Sequence, residues 1–555
     1  MTFVLLILMI LPSFYIYSKN SDSNIFLMSI AVVIYIYALI KDSRYLLAFY
    51  PLVIIVPFIL LYTHYYDNSI NEQILSIVLE TNWQEARSFL GAKVYLYMGL
   101  FSLWLVMVTV LFWKNHRTPV VWSHRSRWWI ILAISSIGII GLVANQVLAT
   151  EIDSNFLEND NFLVDEKNSL LQDLKQTYPL GLFISLTNLY QEQAKINAAF
   201  SKHQQFSFNA KVPHAVNNKQ LVVLIIGESS RRANWQLNGY KRQTNPLLSK
   251  QAHVVNFTDM LSISNATRTS IPMLLTRKPA AQVYRYDFAE KSVISAFKES
   301  GFDTYWISTQ QKFGAYDTST SVYAKEADNI IFLNKTNYTN KGETDGVVLP
   351  VFQKILANQS QKILIVIHTL GSHFDYSHRY PSSFDKFKPS LNDIEGYSLQ
   401  DKKYKQQLIN SYNNSILYTD YVLNEVIESM KKQEQTESFL LYSSDHGEDF
   451  FDGQCSKSGH GNETPYNFEI ASLAWYSSRF AASHADKVQQ LQANATKPVN
   501  HTSIFPTLID AADITIPDYS LNRSLLGRLG TYPRLVLGGT DYDNNVQQGI
   551  CREII

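Results

Sequence analysis

The stretch "LVVLIIGES", residues 221–229, contains six consecutive apolar residues before Gly227, Glu228 and Ser229. An apolar run without polar alternation is typical of a strand that is buried on both faces, as in a parallel sheet covered by helices. Similar runs follow at 303–308, 362–373, 438–447 and 470–477, and helical patterns such as 288–299 and 405–432 lie between them. The pattern predicts a mainly parallel sheet with helices on both faces over residues 219–555.

Length and charge limit the classes of function. A chain of 555 residues exceeds the size of one hydrophobic core and predicts about two to four domains. Its 48 basic and 48 acidic residues give a formal net charge of zero, so no overall field attracts nucleic acid. Nucleic acid is therefore not an expected partner.

The first 150 residues carry the long apolar runs of the chain. A bilayer is crossed by about 20 apolar residues in a helix. Five runs approach or reach that length, at 2–18, 24–40, 45–66, 93–113 and 127–149. The first lacks a basic leading region and a clear cleavage site, so it is interpreted as a retained helix and not as a signal peptide. Residues 1–150 are thus predicted to form a transmembrane domain with five helices.

Basic residues in short loops predict the orientation. The segment 114–127 carries four Lys or Arg and no acid, and 41–44 carries two. Both loops are predicted to be cytoplasmic, because Lys and Arg accumulate on that side. The N-terminus is then cytoplasmic and everything after residue 150 is exported, which in a bacterium means the periplasmic side of the inner membrane.

Two further segments suit the membrane surface. Residues 67–92 are predicted to contain a periplasmic amphipathic helix in which Thr81 and Glu85 share one face, although periodicity alone favours a solvated helix face. Residues 151–218 are predicted to be a linker, and its apolar patch at 178–190 indicates a helix on the membrane surface or one buried against the outer domain.

Polar groups follow three of the predicted strands. Glu228 follows the first, His368 and His373 end or follow another, and Asp445 and His446 follow a third. Parallel sheets bind ligands at the carboxyl ends of their strands. Buried carboxylates and imidazoles together need a compensating cation, so a metal site is predicted there, with Glu228, Asp445 and His446 as ligands.

Carboxylate and imidazole ligands favour Zn²⁺, with Mn²⁺ as the alternative. Zn²⁺ also lowers the pKa of a hydroxyl bound at an open position. The segment "SISNATRTSIP" (262–272) supplies five hydroxyl side chains, and "SKSGHGN" (456–462) places His460 on a glycine-flanked loop. From the residues alone, the segment 262–272 is equally a polar loop and His460 a solvated loop residue.

Together these motifs resemble a known family, the membrane-bound phosphoethanolamine transferases of the alkaline phosphatase and sulfatase superfamily, which include the mobile colistin-resistance enzymes. The resemblance covers nearly the whole chain and is carried by the following motifs: "ETNWQEA" (80–86), "GESSRRANWQLNGYKRQTNP" (227–246), "NATRTSIP" (265–272), "YNNSILYTDYVL" (412–423), "SDHGE" (444–448) and "GHGN" (459–462).

The resemblance implies roles for single residues. The nucleophilic threonine of the family lies five residues before the proline of its Ser-hydrophobic-Pro motif, which corresponds to Thr267, so Thr267 would be both nucleophile and fourth metal ligand. His373 and His460 would serve the substrate phosphate or the leaving group. Thr81 and Glu85 would lie near the lipid head group.

The implied fold is a helical membrane domain followed by an α/β/α sandwich of alkaline phosphatase type. The implied reaction moves phosphoethanolamine from phosphatidylethanolamine to an envelope glycolipid or glycan, with lipid A or the lipopolysaccharide core favoured, through a phosphothreonine in a ping-pong scheme. The enzyme is expected to act as a monomer. The alternative is a phosphoglycerol transferase of the same superfamily that acts on a periplasmic glucan or glycolipid. A sulfatase activity is not favoured, because "SIPML" (270–274) lacks the arginine of the formylglycine motif.

Three features depart from the family pattern. Relatives carry a disulfide around the nucleophile, whereas Cys455 and Cys551 are the only cysteines here, and their pairing is left open by the sequence. The family's substrate lysine does not align with Lys312, so its role is open. Ser229 stands where many relatives have Thr.

Overall fold

The computed structural model describes residues 1–20, 23–66, 75, 90–91, 93–154, 169–188, 190–191, 205–212, 218–285, 288–311, 319–334, 343–358, 360–546 and 549–554. The chain divides into two compact units. The first comprises Met1–Thr81 and Lys93–Ala194, and the second comprises Asn82–Ala92 and Lys195–Ile555.

The first unit is helical. Its described helices include α1 (Thr2–Asn20), α2 (Ser23–Ile40), α3 (Tyr50–Tyr66), α4 (Lys93–Arg117), α5 (Ser126–Ser154) and α6 (Ser169–Gln176). Among the described residues, three helical stretches are long and apolar enough to cross a membrane: Ser23–Ile40, Ser43–His64 and Lys93–Arg117. The apolar stretches Thr2–Ser18 of α1 and Ser126–Ile140 of α5 occupy the positions of the first and fifth predicted spans. The membrane helices are thus observed, and the count of five spans stays a prediction.

The apolar patch predicted at 178–190 is helical over residues 180–188 and belongs to the first unit. Tyr178 anchors its start: its hydroxyl donates to the carbonyl of Leu52 at 2.7 Å, and its backbone N–H donates to Ser13 Oγ at 3.0 Å. The outer face leaves Phe183 46% and Leu186 44% exposed. The position of this helix at the membrane surface stays a prediction.

The second unit is built around a seven-stranded sheet with the order β2-β11-β7-β1-β6-β4-β5. The strands of this unit are β1 (Lys219–Gly227), β2 (Val254–Asn256), β3 (Met260–Leu261), β4 (Asp303–Gln311), β5 (Asn329–Asn334), β6 (Lys362–His368), β7 (Thr436–Ser444), β8 (Asp449–Phe450), β9 (Ser458–Gly459), β10 (Glu469–Ile470), β11 (Ser472–Tyr476), β12 (Val499–Asn500), β13 (Leu535–Val536) and β14 (Thr540–Asp541). Strands β7, β1, β6, β4 and β5 run parallel, and β11 pairs antiparallel with β7 and β2. The mainly parallel sheet is therefore observed, with two antiparallel pairings at one edge.

Helices cover both faces of this sheet. The described helices of the second unit are α7 (Thr267–Leu275), α8 (Val293–Glu299), α9 (Ser319–Ala324), α10 (Val348–Leu356), α11 (Lys405–Lys431), α12 (Pro465–Phe468), α13 (Ser478–Ser483), α14 (Ala485–Ala493), α15 (Ile504–Ala511) and α16 (Tyr542–Asn545). Of these, α12 and α16 contribute to a separate small core that contains Phe468 and Tyr542.

Strand β1 shows why its sequence is apolar without alternation. Val222, Leu224 and Ile226 belong to the core that also contains residues of α7, α8 and α15. The intervening side chains of 221, 223 and 225 belong to the opposite core, which contains residues of α10 and α11. Because successive side chains of a strand point to opposite faces, a strand between two helical layers must be apolar at every position. The predicted α/β/α sandwich is the observed architecture.

Candidate active site

Three chain segments bring the predicted metal and nucleophile residues together. Glu228 follows β1, Asp445 and His446 follow β7, and Thr267 begins α7. Thr267 Oγ1 lies 3.2 Å from Glu228 Oε2 and 3.3 Å from His446 Nε2. His446 Nε2 lies 3.3 Å from Glu228 Oε1 and 3.4 Å from Asp445 Oδ2. The neighbouring strands β1 and β7 end at the same edge of the sheet, which places all four side chains around one point.

The backbone after β1 fixes the two carboxylates. Ser229 adopts a positive φ of 55°, and its hydroxyl donates to Glu228 Oε1 at 2.9 Å. Its backbone N–H donates to Asp445 Oδ1 at 3.0 Å, and the N–H of His446 donates to the same oxygen at 2.7 Å. Asp445 Oδ2 is buried and has no hydrogen-bond partner among the described residues. A buried carboxylate oxygen without a donor is expensive unless a cation binds it.

Burial and mutual proximity shift the pKa values of these three groups. Burial, and after it the charge of Glu228, raises the pKa of Asp445. Burial alone would lower the pKa of His446, but the carboxylates of Asp445 and Glu228 raise it above its ordinary value. Burial would raise the pKa of Glu228, and the contact with His446 lowers it instead. Two buried carboxylates thus depend on one imidazole for charge compensation, which a divalent cation would supply.

These residues fit a zinc ion. The ligand atoms of Glu228, Asp445 and His446 all lie within 4.8 Å of one another. Two carboxylates, one imidazole and a hydroxyl at the fourth position match the ligand types and number that Zn²⁺ takes in catalytic sites. Mn²⁺ accepts a similar donor set and stays the alternative.

A second triad lies beside the first and was not predicted. His446, Glu448 and His460 also have ligand atoms within 4.8 Å of one another. His460 Nδ1 lies 3.4 Å from Glu448 Oε2, and the buried hydroxyl of Tyr376 donates to Glu448 Oε1 at 2.6 Å. The rings of His446 and His460 are 4.6 Å apart. Glu448 belongs to the motif "SDHGE", but only the three-dimensional path of the loop that carries His460 shows that Glu448 faces His460.

The loop after β6 brings His373 to the same site, because its ring lies 5.9 Å from the ring of His460. Asp345 fixes this loop, since its carboxylate accepts the N–H groups of Leu370 at 2.9 Å and Gly371 at 2.8 Å. His368 is instead a core residue: it is 4% exposed, and burial lowers its pKa to about 4. Of the two histidines singled out on this segment, only His373 lies among the half-buried groups of the site.

The other hydroxyls of the segment 262–272 have local partners. The hydroxyls of Ser264 and Thr269 share a hydrogen bond of 2.6 Å, and Ser270 Oγ donates to the carbonyl of Ser264 at 3.0 Å. Thr267, in contrast, is the first residue of α7, and its hydroxyl contacts Glu228 and His446. Geometry therefore separates Thr267 from its neighbours.

Two supporting residues were missed by the sequence reasoning. Gln310, near the end of β4, donates from its side-chain amide to Glu228 Oε2 at 3.3 Å and to the carbonyl of Thr369 at 2.9 Å. His501 Nε2 lies 2.9 Å from the carbonyl of Ser444, just before the Asp-His pair, and must donate to it. Neither residue has a motif or spacing that signals the site, because each reaches it from a distant part of the chain.

Several sequence predictions fall on residues that the structure does not describe. The amphipathic helix predicted at 67–92, with Thr81 and Glu85, lies outside the described residues except for positions 75 and 90–91, and Lys312 lies outside them as well. The open question of the cysteines is answered: Cys455 and Cys551 form a disulfide, with 4.8 Å between their Cα atoms.

Comparison with known proteins supports the same interpretation. The model of the protein family described as Sulfatase matches residues 220–514. Phosphoethanolamine transferase EptC of Escherichia coli strain K12 is 27% identical over 487 residues, which cover 83% of this chain and 78% of that protein.

Two solved structures are also similar. The C-terminal periplasmic domain of EptC from Escherichia coli, in complex with Zn, matches with 26% identity and a TM-score of 0.55, covering 62% of this chain and 98% of that one. The integral membrane lipooligosaccharide phosphoethanolamine transferase A of Neisseria meningitidis matches with 20% identity and a TM-score of 0.68, covering 95% of this chain and 99% of that one, and so shares its fold. The resemblance drawn from the motifs is confirmed.

Proposed function

Because the chain belongs to the sulfatase family, we propose that it is a phosphoethanolamine transferase that uses Thr267 as its nucleophile. The donor is phosphatidylethanolamine. The acceptor is an envelope glycolipid of the lipid A or lipopolysaccharide core type. The similarity to proteins named phosphoethanolamine transferase, over 83% of the chain for EptC, supports this choice of transferred group.

One observation carries the proposal: the hydroxyl of Thr267 lies within 3.4 Å of both oxygens of Glu228 and of His446 Nε2. Thr267 is also the first residue of α7, so the N-terminus of this helix lies next to the attacking oxygen. Backbone N–H groups and the helix dipole favour negative charge at that end. A phosphoryl group transferred to Thr267 would be stabilised by them.

In the first half-reaction, Thr267 Oγ1 loses its proton and forms a bond with the phosphorus of phosphatidylethanolamine. The bond between phosphorus and the glycerol oxygen breaks, and diacylglycerol leaves after this oxygen takes up a proton. In the second half-reaction an acceptor oxygen attacks the phosphothreonine and releases Thr267. The ring of His460 lies 4.6 Å from that of His446 and 5.9 Å from that of His373. His373 and His460 are the groups that give and take these protons in this scheme.

Glu228, Asp445 and His446 would hold the metal ion, and Thr267 would complete the set. When bound, Zn²⁺ supplies positive charge that lowers the pKa of the threonine hydroxyl and offsets charge on the phosphoryl oxygens. The residues around it do the positioning: Ser229 orients both carboxylates, and Gln310 holds Glu228 from the other side.

The apolar helices of the first unit suit a lipid donor, because a site that removes a head group from a bilayer lipid must stay at the membrane. With basic loops on the cytoplasmic side, the catalytic unit would be periplasmic and anchored in the inner membrane. The monomer is the expected working form.

The test is a mass measurement on the full chain purified in detergent with Zn²⁺. Incubation with phosphatidylethanolamine is expected to add the mass of one phosphoethanolamine group to a peptide that contains Thr267, and Thr267→Val is the control that should stay unmodified. An adduct formed with phosphatidylglycerol instead would support the phosphoglycerol transferase, and no adduct with either lipid would reject both. Lipid A, lipopolysaccharide and a glucan, added to the modified enzyme in turn, would then identify the acceptor.

A further inference from the structure

The C-terminal residues 549–554, called here the strap, are joined to the segment 452–464 that carries His460. Cys551 forms the disulfide with Cys455, which lies before His460. The N–H of Ile554 donates to the carbonyl of Glu463, which lies after His460, at 2.8 Å. An ion pair of 3.3 Å between Glu553 and Lys457 lies between these two links. The strap therefore holds the segment on both sides of His460.

The end of the strap is anchored in the body of the domain. Ile554 is 1% exposed and packs in a cluster with Leu261, Phe468, Val536 and Tyr542. Leu261 and Phe468 lie in or next to the short sheet of β10, β3 and β12, outside the segment 452–464. Because Ile554 is buried in a core outside the segment 452–464, the strap can restrain that segment.

His460 itself has weak local support. It is 30% exposed, and its Nδ1 lies 3.4 Å from Glu448, which is longer than a normal hydrogen bond. Its neighbours Gly459 and Gly461 have φ values of 86° and 81°, which other residue types rarely adopt. Besides the strap, the pairing of β9 with β8 holds the backbone before His460. After His460, the N–H of Gly461 donates to the carbonyl of Asn265 at 3.0 Å, and Asn265 Nδ2 donates to the carbonyl of Asn462 at 3.0 Å.

We propose that the strap, through the Cys455–Cys551 disulfide and the contacts of Glu553 and Ile554, is a positioning element that keeps His460 beside His446 at the candidate site. The proposal rests on the proposed function for the role of His460. The disulfide links residues 96 positions apart, so its loss removes the covalent link between the strap and the part of the segment before His460, while the contacts of Glu553 and Ile554 remain. The two glycines then allow the backbone around His460 to take other conformations, and the histidine spends less time beside His446.

The experiment uses the full chain in detergent, with the double variant Cys455→Ser/Cys551→Ser against the wild type. The expected result is a fall in kcat of about 10- to 100-fold, the usual cost of a misplaced catalytic group, with KM for phosphatidylethanolamine and the affinity for Zn²⁺ little changed. Hydrogen exchange of the Gly461 amide should become faster, because its bond to Asn265 is held for less of the time. The kcat is calculated per molecule of enzyme that accepts phosphoethanolamine on Thr267, so that an unfolded fraction of the variant does not lower the value.

A second set of variants avoids the disulfide. Glu553→Lys should lower kcat and speed Gly461 exchange in the same direction with a smaller effect, because the ion pair is about one third exposed on both partners. Adding Lys457→Glu restores the pair with reversed charges and should reverse both changes.

The proposal would be overturned if the disulfide variant kept both the kcat and the Gly461 exchange rate of the wild type. It would also be overturned if the variant lost Zn²⁺ affinity by the same factor as kcat. If the wild type transfers no phosphoethanolamine, the proposed function fails, and hydrogen exchange at Gly461 still decides whether the strap restrains the segment.

Discussion

Thr267→Val should remove phosphoethanolamine transfer and leave the fold intact. Valine has nearly the shape of threonine but no hydroxyl, so the substitution isolates the attacking oxygen. The three contacts of Thr267 Oγ1 measure 3.2, 3.3 and 3.4 Å, longer than the common O–H···O distance of about 2.7–2.8 Å. They therefore contribute at most about 1 kcal/mol to the free energy of unfolding.

The expected loss of stability is small for a second reason. Thr267 begins α7 and is only partly buried, and valine has nearly its volume, so the substitution creates no cavity there. Its partners Glu228 and His446 are fully buried, but they keep their contact with each other at 3.3 Å. A change of about 1 kcal/mol moves the Tm of a domain of this size by about 2–4 °C or less. The loss of a covalent nucleophile, in contrast, lowers kcat by as much as about 10⁶-fold.

The assay follows transfer from phosphatidylethanolamine in parallel with thermal unfolding and Zn²⁺ binding. Thr267→Ser is the matched control, because it keeps the hydroxyl and should retain measurable transfer within about 100-fold of the wild type. Transfer by Thr267→Val at a rate close to that of the wild type would disprove the role of the threonine hydroxyl. A phosphoethanolamine adduct found on Ser264, Thr269 or Ser270 of the wild type would disprove it as well.

Three further predictions follow from the same geometry. Removal of metal with a chelator should abolish transfer, and Zn²⁺ should restore it, because the ligand atoms of Glu228, Asp445 and His446 converge and their buried carboxylates are costly without a cation. Activity that survives complete removal, checked by elemental analysis, would contradict the metal site. Gln310→Leu should weaken Zn²⁺ binding by about 10- to 100-fold through the lost hydrogen bond to Glu228, whereas an unchanged Kd in a competition titration would show that Gln310 does not support the ligand. Burial raises the pKa of Asp449 to about 7, so the folded state keeps a proton that the unfolded state loses above about pH 4. The contribution of Asp449 to the free energy of unfolding should therefore fall between about pH 4 and 7 and stay level above pH 7. Between about pH 4 and 7, the Tm of Asp449→Asn should fall less than that of the wild type. Parallel Tm profiles of the two proteins would reject the raised pKa of Asp449.

The fold of the second unit could be predicted from the sequence because the burial of a strand determines which of its positions are apolar. A strand between two helical layers has no polar side, and every residue of "LVVLII" (221–226) is accordingly apolar. The ends of the membrane helices were predicted within a few residues for the same reason, since a long apolar helix is rarely found outside a membrane or a large core. The number of spans was not settled by composition, because three helical stretches among the described residues meet the length and hydropathy that a membrane span requires.

The meeting of Glu228 with Asp445 and His446 could be predicted because parallel neighbouring strands end at one edge, and each residue follows its strand directly. The distinction between Thr267 and the other hydroxyls came from the family resemblance. The residues alone could not make it, because adjacent hydroxyls differ only in the direction that the start of α7 gives them.

The amino-acid sequence was sufficient to specify a membrane-anchored α/β protein with a cluster of carboxylates and imidazoles at the strand ends. The three-dimensional fold was needed to establish that Glu448 faces His460, that Gln310 holds Glu228, and that Cys455 pairs with Cys551 across 96 residues of chain. Secondary structure and burial leave periodic patterns in neighbouring residues, so they can be read locally. Contacts between loops depend on the paths of segments far apart in the chain, and those paths are set by how the whole core packs.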